Sequence, residues 1–235
     1  MEILGIDTNA KTVKGQKLNY ITGIVYLAPS DESGEFNTCG DASVACRQSC
    51  LFFAGRGAMK NVKEARVAKT LAFYHGKDKW MGQAVKEIVS LVKKAEKLEM
   101  NPCVRLNGTS DIPWERVKLN GKNIMEHFPS IQFYDYTKNI ARMIAFLRGE
   151  MPANYHLTFS RSEDNEEKCL TVLNEGGNVA VVMSKGFKPT EFYGKEVING
   201  DEHDLRFLDK ANVIVRLIEK GRAKKDDKGF VVRSH

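Results

Sequence analysis

Asn37-Thr-Cys-Gly-Asp-Ala-Ser-Val-Ala-Cys-Arg-Gln-Ser-Cys-Leu-Phe-Phe-Ala-Gly-Arg-Gly57 is the stretch around which the chain is organised. Three of the five cysteines, Cys39, Cys46 and Cys50, fall within it. Cys46 and Cys50 are four apart, the spacing that turns two side chains to the same side of a helical turn. Cys39, separated from Cys46 by six intervening residues, is near enough for a short loop to fold it back onto that pair. Three thiolates meeting at one point hold a soft metal and leave a fourth coordination position open.

Upstream, Tyr20-Ile-Thr-Gly-Ile-Val-Tyr-Leu27 is β-rich and reads as the first strand, and a turn-prone segment carries it into the cysteine loop. Residues 1–19 are polar and weakly patterned. Downstream, a helix is expected from an Asn61 cap to about Tyr74, with Val62, Ala65, Ala68/Lys69 and Ala72 on its apolar face. A second helix, 78–99, carries Trp80, Ala84, Val85, Ile88, Leu91, Val92 and Ala95 at helical spacing, a core stripe. Then a rhythm sets in: strands near 103–107, 131–136, 155–159, 178–183 and 212–217, with helices at 124–127, 140–148 and 163–174 between them. Residues 187–211 read as an irregular insertion and 219–235 as a basic tail. Strands separated by helical segments imply parallel βαβ units in one α/β domain spanning 1–235. The strand ends carry polar residues (Asn107 and Asp111, Asp135 and Lys138, Ser160 and Arg161, Lys185), and in parallel α/β folds sites are built at that rim.

A formal charge of +6 and a pI near 9.0 point to a polyanionic partner such as nucleic acid, or to a solvated lysine-rich surface. The bases concentrate at Lys86, Lys93, Lys94 and Lys97 and in the tail Lys220–Arg233. No apolar run reaches the length of a membrane span and the start lacks a signal-peptide layout, so a cytoplasmic protein without a membrane partner is expected. An odd number of cysteines in such a chain argues for reduced thiols or metal ligands over disulfides. Walker, G-x-G-x-x-G, G-x-S-x-G and H-E-x-x-H patterns are absent, which counts against NTPase, dinucleotide, hydrolase and zincin chemistry.

Six β/α units with a three-cysteine loop directly after the first strand resemble the partial barrel of radical S-adenosylmethionine enzymes. The chain as a whole resembles a phage-encoded protein family related to those barrels, through the cysteine loop, Val104-Arg-Leu-Asn-Gly-Thr-Ser-Asp-Ile-Pro-Trp-Glu115, Phe133-Tyr-Asp-Tyr-Thr-Lys138 and Tyr155-His-Leu-Thr-Phe-Ser-Arg-Ser-Glu-Asp-Asn165. The resemblance implies a partial (β/α)6 TIM-like barrel of mainly parallel strands. It also implies a [4Fe-4S] cluster on Cys39, Cys46 and Cys50, with S-adenosylmethionine on the fourth iron and an external electron donor. The chain departs from the superfamily in its C-x6-C-x3-C spacing, where C-x3-C-x2-C is usual, and in Ser49, which stands where an aromatic normally precedes the last cysteine. Its nearest match to the glycine-rich segment that grips the cosubstrate is Gly108-Thr-Ser.

Around that centre each candidate has two readings. Cys39, Cys46 and Cys50 could instead form a zinc site closed by Cys103, Cys169 or a histidine, or remain unligated; Cys103 and Cys169 themselves read as small core residues. Arg56, between Gly55 and Gly57, could hold an anion or sit on a flexible turn. Arg105 shares a strand face with Asn107, and an inward arginine needs a carboxylate, for which Asp135 on the next strand is the candidate, or a ligand. Asp111 and Glu115 bracket Trp114 and could bind a ribose or amine with the indole stacked on it, or merely start a helix over a core tryptophan. Ser160, Arg161 and Asn165 could take the cosubstrate's carboxylate or a phosphate; Ser162 reads equally as a cap. Cofactor contacts are thus expected at Arg56, Asn107, Asp111, Ser160 and Arg161, and substrate contacts at Arg105, Trp114, Asp135 and Lys138. Asp201, Glu202, Asp204 and Asp209, with His203, form an acidic cluster suited to a two-metal nuclease or to a solvated loop. Three functions follow: an iron–sulfur enzyme acting on a nucleobase or nucleic acid, a zinc- or cluster-stabilised nucleic-acid-binding protein without turnover, and a carboxylate-dependent nuclease.

Overall fold

A computed structural model describes residues 1–8 and 10–234. In chain order its elements are β1 (Leu4–Ile6), α1 (Ala10–Gly15), β2 (Tyr20–Val25), α2 (Val44–Gln48), α3 (Lys60–His75), α4 (Lys77–Lys97), β3 (Asn101–Arg105), β4 (Lys118–Leu119), β5 (Lys122–Asn123), α5 (Ile124–His127), β6 (Gln132–Thr137), α6 (Ile140–Leu147), β7 (Tyr155–Ser160), α7 (Glu166–Asn174), β8 (Val179–Met183), β9 (Glu191–Phe192), β10 (Lys195–Asn199) and β11 (Ile214–Ile218). β4 and β5 form a separate hairpin. The rest make one mixed sheet in the order β1-β2-β3-β6-β7-β8-β11-β10-β9. β2, β3, β6, β7, β8 and β11, the six expected strands, are mutually parallel and stand side by side in chain order. The result is an α/β architecture with a large, mostly parallel sheet.

A right-handed crossover that always steps to the same neighbour leaves its helices on one face of the sheet. Here Phe73 of α3, Trp80, Ile88 and Leu91 of α4, Met143 of α6 and Val172 of α7 pack into one core with Val104, Phe133, Leu157, Phe159 and Val181. Phe73, Trp80 and Trp114 form an aromatic stack in it, with Trp80 and Trp114 at 5.4 Å and only 17° apart in plane. Local caps fix the crossovers. Asn139 accepts from the Arg142 amide to start α6, and Asn123 with Glu126 forms a capping box on α5.

Four expectations are corrected. Residues 1–19, which lack a clear pattern, contain β1, paired antiparallel with β2, and α1. The insertion 187–211 holds β9 and β10, and β10 adds a further parallel strand beside β11. The stretch 200–209 is not a solvated loop: Asp204, Leu205 and Arg206 are buried. Leu205 packs on Cys103 and Tyr134, covering the sheet face opposite the helices. The basic tail is folded onto the sheet, with the Val232 N–H donating to the Val182 carbonyl and the Ser184 N–H to the Val232 carbonyl, both at 2.9 Å; His235, its last residue, lies outside the described residues. Among those residues no helix is long and apolar enough to cross a membrane.

Candidate metal centre

β2 ends at Val25, and the chain then wraps over the carboxyl edge of the sheet. Threonines set that path: Thr38 Oγ1 donates to the Ala28 carbonyl and Thr109 Oγ1 to the Leu27 carbonyl, each at 2.6 Å. The Asp111 amide donates to the Thr38 carbonyl at 2.8 Å. Gly108 is glycine because of this crowding, since a Cβ there would lie 2.7 Å from the Val25 carbonyl oxygen. Its reason is packing.

Cys39 leaves this lattice with its Sγ 3.7 Å from the Thr109 carbonyl. Cys46 lies on α2, which Ser43 caps by accepting from the Cys46 amide. Glu163, at the far side of the rim, holds the start of α2 through Ser43 Oγ and the Ala45 amide. α2 ends at Gln48, so Cys50 does not share a helical turn with Cys46; it opens the next turn and its Sγ accepts from the Phe52 amide. All three cysteines are half-buried. Burial pushes the Cys39 thiol up, and that of Cys50 to about 12; beyond burial, Cys46 raises both, and Cys39 raises Cys50. Thiols that sense one another share one neighbourhood. Among the described residues, however, no three of His, Cys, Asp and Glu are gathered so that they could hold a metal ion. The bare thiols therefore do not present a preformed single-ion site.

The residue the sequence reading missed is Arg66. The buried stripe of α3 is Arg66, Thr70 and Phe73, rotated from the expected Val62–Ala72 face. Thr70 fixes the rotation, because its hydroxyl donates to the Arg66 carbonyl and accepts from the Ala28 amide. The Arg66 guanidinium lies 4.7 Å over the Tyr26 ring, close enough to Cys50 for each to shift the other's protonation. It is 9% exposed, and its Nη1 is buried with no hydrogen-bond partner. Gly57 gives it room: a Cβ there would sit 2.8 Å from the Leu51 carbonyl oxygen and 3.2 Å from Arg66 Nη1. The glycine-flanked motif thus serves Arg66, whereas Arg56 itself is exposed. The only sequence signal was an arginine at helical spacing from Thr70 and Phe73.

The other rim candidates are largely consumed by the protein itself. Asn107 Oδ1 accepts from Ser110 Oγ, the Ile112 amide and Trp114 Nε1 at 2.8–3.0 Å. Asp135 accepts from the Asn107 amide and the Tyr155 hydroxyl. The Arg142 guanidinium bridges Tyr155, Glu115 and Asp111. Trp114, fully buried against Trp80, offers no face for a substrate to stack on. Asp111 keeps an edge on a groove of about 220 Å³ beside the cysteine loop, lined also by Asn37, Thr38, Asp41 and Arg142. Arg105 does not pair with Asp135. It lies on the opposite sheet face with Tyr134 and Leu205, whereas Asp135 alternates onto the helix side with Phe133, and it pairs there with Asp204 at 2.9 Å. Lys138 Nζ donates to Ser160 Oγ at 2.7 Å, and Arg161 holds the Gly229 and Phe230 carbonyls of the C-terminal segment. The acids of 201–209 do not converge either: Asp201 pairs with Lys11 and Lys220, Asp204 with Arg105, and Asp209 with Arg206. A two-metal nuclease centre is not formed there. Cys103 and Cys169 are wholly buried.

The chain belongs to the Gene product 88 family, a phage gene-product family whose model matches residues 4–234. No curated protein and no solved structure matches it.

Proposed function

We propose that Cys39, Cys46 and Cys50 hold an iron–sulfur cluster at the carboxyl edge of a partial (β/α)6 barrel, and that the protein is an enzyme of the radical S-adenosylmethionine kind acting on a nucleobase or nucleic acid. The single observation that carries this reading is the company the thiols keep: three on one loop, beside a buried guanidinium with an unpartnered Nη1. The Arg66 guanidinium stacks on the Tyr26 and Phe52 rings but has no carboxylate within 4 Å among the described residues, and a buried cation without an anion is expensive, typically by several kcal/mol. A cluster held by three thiolates is anionic and supplies the missing countercharge. Burial holds the Cys39 and Cys50 thiols protonated, a cost that ligation has to overcome by displacing their protons.

When bound, the cluster would pass an electron from an external donor to the cosubstrate and open one of its sulfur–carbon bonds. The protein's part is orientation and exclusion of water. The three thiolates anchor the cluster, Arg66 balances its charge, and the threonine-tied backbone of 28–38 and 108–111 keeps the loop rigid. The groove at Asn37, Thr38 and Asp111 offers polar groups for the cosubstrate's polar end. Anaerobic purification with iron and sulfide quantitation tests the assignment. Stoichiometric iron that is lost from a Cys46→Ala variant supports it, and zinc or no metal in the wild type refutes it.

A further inference from the structure

We infer that the surface formed by the turn after Cys50 and the turn at 220–225 is where a nucleic-acid strand docks. The inference rests on the nucleic-acid reading above but does not need the cluster. The two turns are far apart in sequence yet pack directly: Gly221, at φ +55°, is so close to Ala54 that a Cβ would lie 2.6 Å from the alanine's own. Between them stands Phe53. Arg222 sits 3.9 Å from its ring centroid and Lys63, from α3, sits 4.9 Å from the same ring. Arg56, Lys224 and Lys225, all exposed, extend the surface on either side.

What marks this surface is missing countercharge. Lys60 reaches Glu64 and Lys220 reaches Asp201. Arg56, Lys63, Arg222, Lys224 and Lys225 have no carboxylate within 4 Å among the described residues. Around the first turn Arg56, Lys60 and Lys63 stand with one acid, Glu64, and around the second Lys220, Arg222, Lys224 and Lys225 lie between Glu219, which is buried, and Asp226-Asp227, of which Asp226 accepts from the Lys228 and Val231 amides. Unpaired cations held together on rigid turns repel one another, and a polyphosphate backbone relieves that repulsion while releasing its own counterions. Phe53 presets two of the cations by holding them over its ring. The apolar side chains exposed nearby, Leu51 and Met59, are too few to anchor a bilayer. Because the first turn begins at Cys50, a strand lying here passes next to the cysteine loop.

Fluorescence anisotropy of a labelled single-stranded DNA of about 30 nucleotides, titrated with the full chain between about 50 and 200 mM salt, tests this. An R222A/K224A/K225A variant is compared with K86A/K93A/K97A, which removes the same charge from exposed positions on α4. The wild type is expected to bind, the first variant to weaken about tenfold or more with a salt slope lower by about 2, and the second to change less than about twofold. Equal losses in both variants, no DNA binding by the wild type, or binding only to phosphatidylserine vesicles would overturn the inference. Iron content measured on the same samples separates the claims. DNA binding that depends on the patch in an iron-free protein upholds this surface while the enzyme reading fails.

Discussion

Arg105 Nη1 lies 2.9 Å from Asp204 Oδ2 across the sheet face opposite the helices, and Tyr134 donates its hydroxyl to the same carboxylate oxygen. Burial alone would push Asp204 up, yet Arg105, with Lys11 and Arg206, holds it below the usual carboxylate range. The pair staples β3 to the 200–209 segment.

Removing one partner strands the other charge in the interior. Asp204→Ala is expected to lower the stability by about 3–5 kcal/mol, whereas the double replacement Arg105→Met with Asp204→Leu costs far less. Urea unfolding of the three proteins checks this; equal losses in the single and double variants would mean that the pair carries no such cost.

The Asn107 side chain orders the 108–115 loop through four hydrogen bonds and ties it to Asp135 of β6 through a fifth. Asn107→Ala leaves the Trp114 indole N–H and the Ile112 amide buried without acceptors, a loss of about 2–4 kcal/mol. Tryptophan fluorescence should shift as the Trp80–Trp114 stack loosens. Unchanged emission with an unchanged urea midpoint would contradict the role assigned to Asn107.

Asp135 gives the fold a pH dependence of definite sign. Burial pushes its carboxyl up to about 7, against the pull of Arg105, the Asn107 amide and Tyr155. Below about pH 4 it is protonated in both folded and unfolded chains. Between about 4 and 7 only the unfolded chain gives up the proton, so this residue makes folding progressively less favourable as pH rises through that window, and no further above it. The melting temperature of Asp135→Asn relative to wild type should therefore climb from pH 4.5 to pH 7.5. A constant difference would show that Asp135 is ionised throughout.

The sequence made the six parallel strands legible because their Val-, Ile- and Phe-rich runs are buried on both faces and bounded by caps and glycines. β1 escaped because it is a three-residue edge strand, and β10 because its five residues mix charged, polar and apolar side chains, so neither carries such a run. The Arg105–Asp135 pairing failed on register: Val104 stands opposite Phe133, so Arg105 meets Tyr134 on one face while Asp135 turns to the other, and one strand's pattern does not reveal its alignment with the next. Asn107, Asp111, Trp114 and Asp135 were recognisable as a set; one sequence could not tell a hydrogen-bonded interior from a ligand pocket. Arg66 was hidden for the opposite reason, because it sits in a helical pattern whose apolar positions suggested a different face.

The iron and sulfide content of the anaerobically reconstituted protein tests the central claim most directly. The account predicts about four irons and four sulfides per chain, lost on replacing any of Cys39, Cys46 or Cys50 and depleted in Arg66→Met, while Cys103→Ala and Cys169→Ala retain them. A chain that takes up no iron, or keeps it when Cys39, Cys46 and Cys50 are replaced together, would contradict it.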